Sequence, residues 1–241
     1  MDQELELTYL AGAQPPAALA SSASLASAVW LKIAIAQPLL NTAAQRFWSH
    51  PDLPRFFPLF LFELYSLVSC SVPLMTTACE RAEALASTDL LAARTAGYLK
   101  RHIEEELHHD EWLLDDLVAA GMDRDEVLRR TPSENVALLV DAQYGWIRQA
   151  HPAALFGYLG VIEGNPPLAA HIEEIRVQTG YPAETFRCMH LHAGEDVEHL
   201  RELKETITSL PLTESSAALI SMSAIATVEG VIRILEGLVT N

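Results

Sequence analysis

The stretch Gly97-Tyr-Leu-Lys-Arg-His-Ile-Glu-Glu-Glu-Leu-His-His-Asp-Glu-Trp-Leu-Leu-Asp-Asp-Leu117 decides how the rest of the chain is read. Its apolar residues recur at helical period, with Leu99, Ile103, Leu113, Leu114 and Leu117 forming one stripe. Glu106 and Asp110 fall inside that stripe, and His102 and His109 lie beside it. His108, Glu104 and Glu111 fall outside. A carboxylate facing a core costs several kcal/mol unless it is paired or holds a metal, so Glu106 calls for a partner. Glu106 and His109 are three residues apart, the Glu-x-x-His spacing that carboxylate-rich di-iron bundles use to hold one cation from one helical turn. Glu105 and Asp110 are spare acids. The plain alternative is a solvated face laced with i,i+4 ion pairs.

Outward from this stretch the same period dominates. Ala18 to Ala36, Phe57 to Ala86, Leu90 to Ala120, Ser133 to Gln149, Ala153 to Glu163, Pro167 to Thr179, Ala183 to Leu210 and Ser215 to Leu238 each read as helix. Their boundaries carry Pro51, Pro54, Ser87-Thr88-Asp89, Gly121, Thr131-Pro132, Gly164-Asn165-Pro166-Pro167, Gly180-Tyr181-Pro182 and Pro211. Pro73 is expected to kink the second helix. The expected architecture is all-α, a single-domain bundle of seven to eight helices over residues 1–241, with residues 1–17 as a flexible start.

Composition narrows the function. The 241 residues carry 16 Lys and Arg against 32 Asp and Glu, a formal net charge of −16, which disfavours a nucleic-acid partner. Cys70, Cys79 and Cys188 form no C-x-x-C pair, so a disulfide framework or a cysteine zinc site has no support. The acidic start MDQELELTYL lacks the basic region of an export signal, and the apolar stretch from Ala217 to Val239 is interrupted by Glu229, Arg233 and Glu236. A cytoplasmic protein with no membrane span is expected.

Two further clusters repeat the pattern of Glu106. In His192-Ala-Gly-Glu-Asp-Val-Glu-His199, the residues His192, Asp196 and His199 share a face with Met189, Leu200, Leu203 and Ile207, while His190 and Glu195 are expected to point elsewhere. In Ala153 to Pro167, Glu163 is the sole acid of an apolar helix. At the negative end of that helix an unpaired carboxylate is doubly disfavoured, and a cation would relieve it. Together Glu106, His109, Glu163, His192, Asp196 and His199 supply three imidazoles and three carboxylates, an inventory for two iron or manganese ions rather than a structural zinc.

The order Glu-Glu-Glu-x-His-His-Asp-Glu-Trp, then Tyr158-Leu-Gly-Val-Ile-Glu-Gly-Asn-Pro-Pro167, then His192-x3-Asp-x2-His199 resembles the heme-oxygenase-like diiron oxidase superfamily of iron-containing redox enzymes. Leu64-Tyr-Ser-Leu-Val-Ser-Cys-Ser-Val-Pro-Leu74 resembles the helix before the first ligand helix, and Leu210-Pro-Leu212 the segment after the last. The resemblance implies a heme-oxygenase-like bundle with those six residues as iron ligands. Glu105, His102 and Glu63 are further candidate ligands, because the first acid varies in position within the superfamily. It also implies two iron ions, dioxygen as co-substrate, and N-oxygenation, desaturation or oxidative C–C cleavage of a small amine, amino acid or fatty-acid-like metabolite, in many members within natural-product biosynthesis. An external electron donor and a homodimer belong to the same expectation. Tyr65, Trp112, Phe156 and Tyr158 are the candidate pocket aromatics. The rival reading is a metal-free bundle of the same fold, a cofactorless oxidase or small-ligand-binding protein. A true heme oxygenase would need an axial His near the start of the chain, where the first His is His50 beside Pro51.

Overall fold

The structure, a computed structural model, describes residues 21–164 and 166–240. The expected flexible start at 1–17 lies outside the described residues. Among the described residues ten α-helices follow one another: α1 (Ser22–Trp48), α2 (Leu53–Leu85), α3 (Leu90–Glu105), α4 (His109–Ala119), α5 (Arg124–Arg129), α6 (Glu134–Gln149), α7 (Leu155–Ile162), α8 (Ala169–Thr179), α9 (Arg187–Ser209) and α10 (Glu214–Thr240). The expected all-α bundle is what forms. Side-chain oxygens start five of the helices: Ser21 accepts from the Ser24 amide, Asp89 from Ala92, Asp123 from Glu126, Ser133 from Val136 and Thr213 from Ser216.

Two expectations about helix limits are corrected. Leu90 to Ala120 is not one helix, since α3 ends at Glu105 and α4 begins at His109, with His108 in the left-handed region at φ 74°. The first helix runs past Ala36 to Trp48, through Pro38, and α2 likewise contains Pro58 and Pro73. Packing against neighbours outweighs the backbone hydrogen bond that each proline removes.

α10 lies against α1, α6 and α7, and α2 lies against α3, α4 and α6. Gly157 marks the closest approach, because a Cβ there would stand 2.1 Å from the Ile220 carbonyl oxygen and 2.7 Å from the Ala224 nitrogen. Absence of a side chain thus lets α7 sit directly on the α10 backbone. Across α6 and α10 the buried Ser223 hydroxyl donates to Gln143 Oε1 at 2.9 Å, and Gln143 Nε2 donates to Thr227 Oγ1 at 3.3 Å. Such a satisfied buried network fixes the register of the two helices. By length and composition α1, α2 and α10 are each apolar enough to cross a membrane. Only part of their apolar surface is buried within the bundle, through Val29, Ile33 and Phe47 of α1, Phe57, Leu61 and Leu74 of α2, and Ile220, Val228 and Leu235 of α10, while Leu31, Ile35 and Leu39 of α1 are exposed.

Candidate metal centre

The break between α3 and α4 builds the first half of the site. Glu106 ends α3 and His109 opens α4, and the turn between them brings Glu106 Oε2 to 2.8 Å from His109 Nδ1. The other oxygen, Oε1, stands 3.5 Å from His199 Nδ1 on α9. Glu106 therefore faces two ways. On one side lie His109 and His192, whose rings cross at 89° with centroids 4.9 Å apart. On the other lie His102 and His199, crossing at 85° with the same centroid separation of 4.9 Å.

Two trios of donor atoms result: His102, Glu106 and His199, and Glu106, His109 and His192, the atoms of each lying within 4.8 Å of one another. Both share Glu106. Glu163 enters from the end of α7, its Oε1 at 2.9 Å from His102 Nε2, and Asp196 Oδ1 lies 3.0 Å from His192 Nδ1 and 3.9 Å from His199 Nδ1. All six expected ligands meet here, joined by His102. The i,i+4 spacing of His102 and Glu106 is the sequence signal that carries it there.

Glu105 stands at the half-exposed rim, 3.4 Å from His102 Nδ1 and 3.8 Å from His199 Nε2. Glu63 is a correction: it accepts a hydrogen bond from Ser133 Oγ at 2.5 Å, beside the start of α6, and belongs to neither trio. Glu195 corrects the reading the other way, since its Oε2 lies 3.7 Å from His109 Nε2. Its offsets of three residues from His192 and four from His199 were the available signal. Asp116 was not singled out by sequence at all. Fully buried, it accepts from the Cys188 backbone N–H at 2.9 Å and so anchors the start of α9. Burial pushes its carboxyl up to about 6, against the pull of that N–H and of Arg187.

The electrostatics are those of acids and imidazoles crowded out of water. Burial works against the imidazolium of His102, but Glu163, Glu106 and Glu105 overcome it and raise the ring to about 9. Burial raises the Glu163 carboxyl, with His102 opposing. Both shifts have one meaning: the pair retains a proton. His192 is likewise disfavoured as a cation by burial, yet Asp196 and Cys188 raise it to about 11. Burial also pushes Glu106 up, and the imidazoles of His109, His192 and His102 outweigh it and hold the carboxyl below its usual range.

Hydrogen bonding leaves the cluster incomplete. Glu106 Oε1, Glu163 Oε2, His109 Nδ1, His192 Nε2 and His199 Nδ1 are buried and make no hydrogen bond among the described residues. Each such group ordinarily costs about 1–3 kcal/mol. Several in one place, all nitrogen or carboxylate oxygen, fit a cation as their common partner, and imidazole with carboxylate suits iron.

Beside the cluster opens a cavity of about 780 Å³. Of the four expected pocket aromatics, Tyr158 lines it and the others do not. Phe156 packs on Tyr98 with centroids 5.4 Å apart, Trp112 stacks on His109 at 4.4 Å, and Tyr65 lies near Phe62 at 6.4 Å. Phe156 is thus turned toward α3, while Trp112 and Tyr65 lie along their own helices, α4 and α2.

Residues 83–229, spanning all of these donors, match the iron-containing redox enzyme family. The chain belongs to that family. Solved structures similar to this iron-containing redox enzyme family member share its fold at low identity. A domain of unknown function with a heme oxygenase-like fold from Shewanella denitrificans OS217 aligns with TM-score 0.74 and 15% identity, over 89% of this chain and 91% of that one. A TenA homolog from Pseudomonas syringae pv. tomato DC3000 aligns with TM-score 0.69 and 13% identity, over 95% and 99%. A CADD-like protein of unknown function from Nostoc punctiforme PCC 73102 gives TM-score 0.62 and 14% identity, over 87% and 98%. No curated protein matches the chain.

Proposed function

We propose that the chain is a non-heme diiron, dioxygen-dependent oxidase or oxygenase acting on a small amine, amino acid or fatty-acid-like metabolite. The observation that carries this reading is the pair of His and Glu trios sharing Glu106. Glu106, with one oxygen 2.8 Å from His109 and the other 3.5 Å from His199, is the residue that both ions would draw on. Glu106, His109 and His192, with Asp196, would hold one ion, and Glu106, His102 and His199, with Glu163, the other. Bound there, iron would supply the redox chemistry that activates dioxygen.

The chain's own residues do the rest. Glu195 and Glu105 lie 3.7 and 3.8 Å from the outer nitrogens of His109 and His199, beyond hydrogen-bond length, where their charge favours the ring N–H on that side and leaves the ring's other nitrogen facing inward. His102 and Glu163 hold a proton between Nε2 and Oε1, 2.9 Å apart, in the metal-free protein. Apolar residues around the cluster, among them Leu99, Leu113 and Leu159, keep bulk water from the donors. An external electron donor and a place in a biosynthetic pathway belong to the same proposal.

The second reading, a metal-free small-ligand-binding bundle, draws on the His102–Glu163 and His192–Asp196 pairs, which partly neutralise the cluster on their own. Anaerobic loading of metal-free protein with Fe(II) separates the two. Iron counted per chain before and after exposure to dioxygen, with the optical spectrum followed, should give about two ions and an oxygen-dependent band. No specific iron binding would leave the metal-free reading standing.

A further inference from the structure

His109 and His192 belong to one trio but to different helices, so their meeting depends on how α4 and α9 are set against each other. The two helices run in opposite directions. His109, which opens α4, meets His192 and Glu195, while Asp116, about two turns further along α4, meets Arg187 and Cys188 at the start of α9. That start lacks a cap of its own: Phe186, the residue before α9, makes no side-chain capping bond, although the first amides of a helix have no partner within it. Asp116 supplies the missing acceptor from α4. Its Oδ2 takes the Cys188 N–H at 2.9 Å, and its Oδ1 stands 3.5 Å from Arg187 Nε. A leucine like its buried neighbours Leu113 and Leu117 would fill this position without the cost of burying a carboxylate, so packing alone does not account for Asp116.

Cys188 lies one turn before His192 on the same face of α9. The other trio is independent of this contact, because His102 stands on α3, and His199 lies about three turns beyond Cys188, where Leu203 and Ile207 bury α9 in the core. We propose that Asp116 is a positioning residue for the ion held by Glu106, His109 and His192: capping α9 from α4, it sets the His109 and His192 rings at their separation of 4.9 Å. This rests on the diiron reading for the ion, whereas the placing of the two rings belongs to the metal-free chain and is tested there first.

Nuclear Overhauser spectra of metal-free protein labelled at histidine read both crossing pairs, His109 with His192 and His102 with His199. Wild type should show a ring-to-ring cross-peak for each. Asp116→Leu, which keeps the bulk and removes the acceptor, should lose the first cross-peak and keep the second. Asp116→Asn, whose Oδ1 can still accept from the Cys188 N–H, should keep both. Anaerobic Fe(II) titration of the same proteins should show one ion bound about ten-fold more weakly in Asp116→Leu, the other unchanged, and wild-type binding of both in Asp116→Asn. Should Asp116→Leu not fold, Asp116→Ala removes the acceptor without adding bulk and is read in the same way. A His109–His192 cross-peak that is absent from wild type or survives in the variant, loss of both cross-peaks together, or two ions weakened equally or not at all would overturn the proposal. The expected cross-peaks with no iron bound to any form would remove the diiron reading and leave Asp116 as the residue that places the two rings.

Discussion

Replacing Glu106 by Gln tests the centre at the residue both trios share. The amide keeps the size of the side chain but is a poor ligand, so each trio is left with two imidazoles. Loss of a residue that merely orients a ligand already weakens a metal by about 10–100-fold, and loss of the carboxylate that both trios contain should weaken both ions by at least roughly 100-fold. With free Fe(II) at about 100 times Kd, each occupied site adds about 2.7 kcal/mol to wild-type stability. Two sites add about 5 kcal/mol, a Tm rise of roughly 10–20 °C for a chain of this size. At the same iron concentration Glu106→Gln should retain about 0.4 kcal/mol per site, which is a rise of only a few degrees. His102→Ala strikes one trio, so about 3 kcal/mol and one iron should remain. The assay is anaerobic iron counting alongside differential scanning calorimetry of both variants with and without Fe(II). Two irons in Glu106→Gln, or a loss no greater than in His102→Ala, would refute the shared carboxylate.

Other outcomes follow from the same geometry. His102, raised to about 9, and His192, raised to about 11, are protonated at pH 7 in the metal-free protein, and a metal takes the neutral ring. Loading should release about two protons per chain, and apparent affinity should fall as pH drops from 8 to 6, read by titration calorimetry in buffers of different ionisation enthalpy; proton-free binding would contradict the assignment. Gly157→Ala drives a methyl group into the Ile220 carbonyl and should lower stability by about 3 kcal/mol in urea unfolding, with wild-type stability as the contrary result. His108 sits at φ 74° on the exposed side of the α3–α4 break, so His108→Gly should bind iron as wild type does. His108→Val should be less stable than His108→Gly by about 1–2 kcal/mol, and equal stability would mean that the turn relaxes.

How far the sequence reaches can be judged from particular residues. The apolar period and the acids embedded in it specify an all-α bundle and point to Glu106, His109, Glu163, His192, Asp196 and His199, because a carboxylate inside an apolar stripe is costly without a partner. The pairing of those residues was not legible. Helical spacing reports which side chains share a face of one helix, whereas the two trios draw on α3, α4 and α9, and Glu163 comes from α7. Nor did the pattern reveal the break at His108, since an uninterrupted periodic run carries no Gly or Pro to mark it. Glu63 shows the opposite limit: an acid on an apolar helix looks like a ligand until a serine on another helix is seen to take its hydrogen bond.

Residue chemistry and periodicity, both local properties, thus determined the fold class, the donor types and the helices that carry them. Which donors face one another, which carboxylate is shared and which aromatics line the cavity were decided by helix packing. The close contact at Gly157, the Gln143–Ser223 link and the anchoring of α9 by Asp116 set where each helix ends and how it is rotated. A rotation of one residue, about 100°, would turn any of these donors out of the centre.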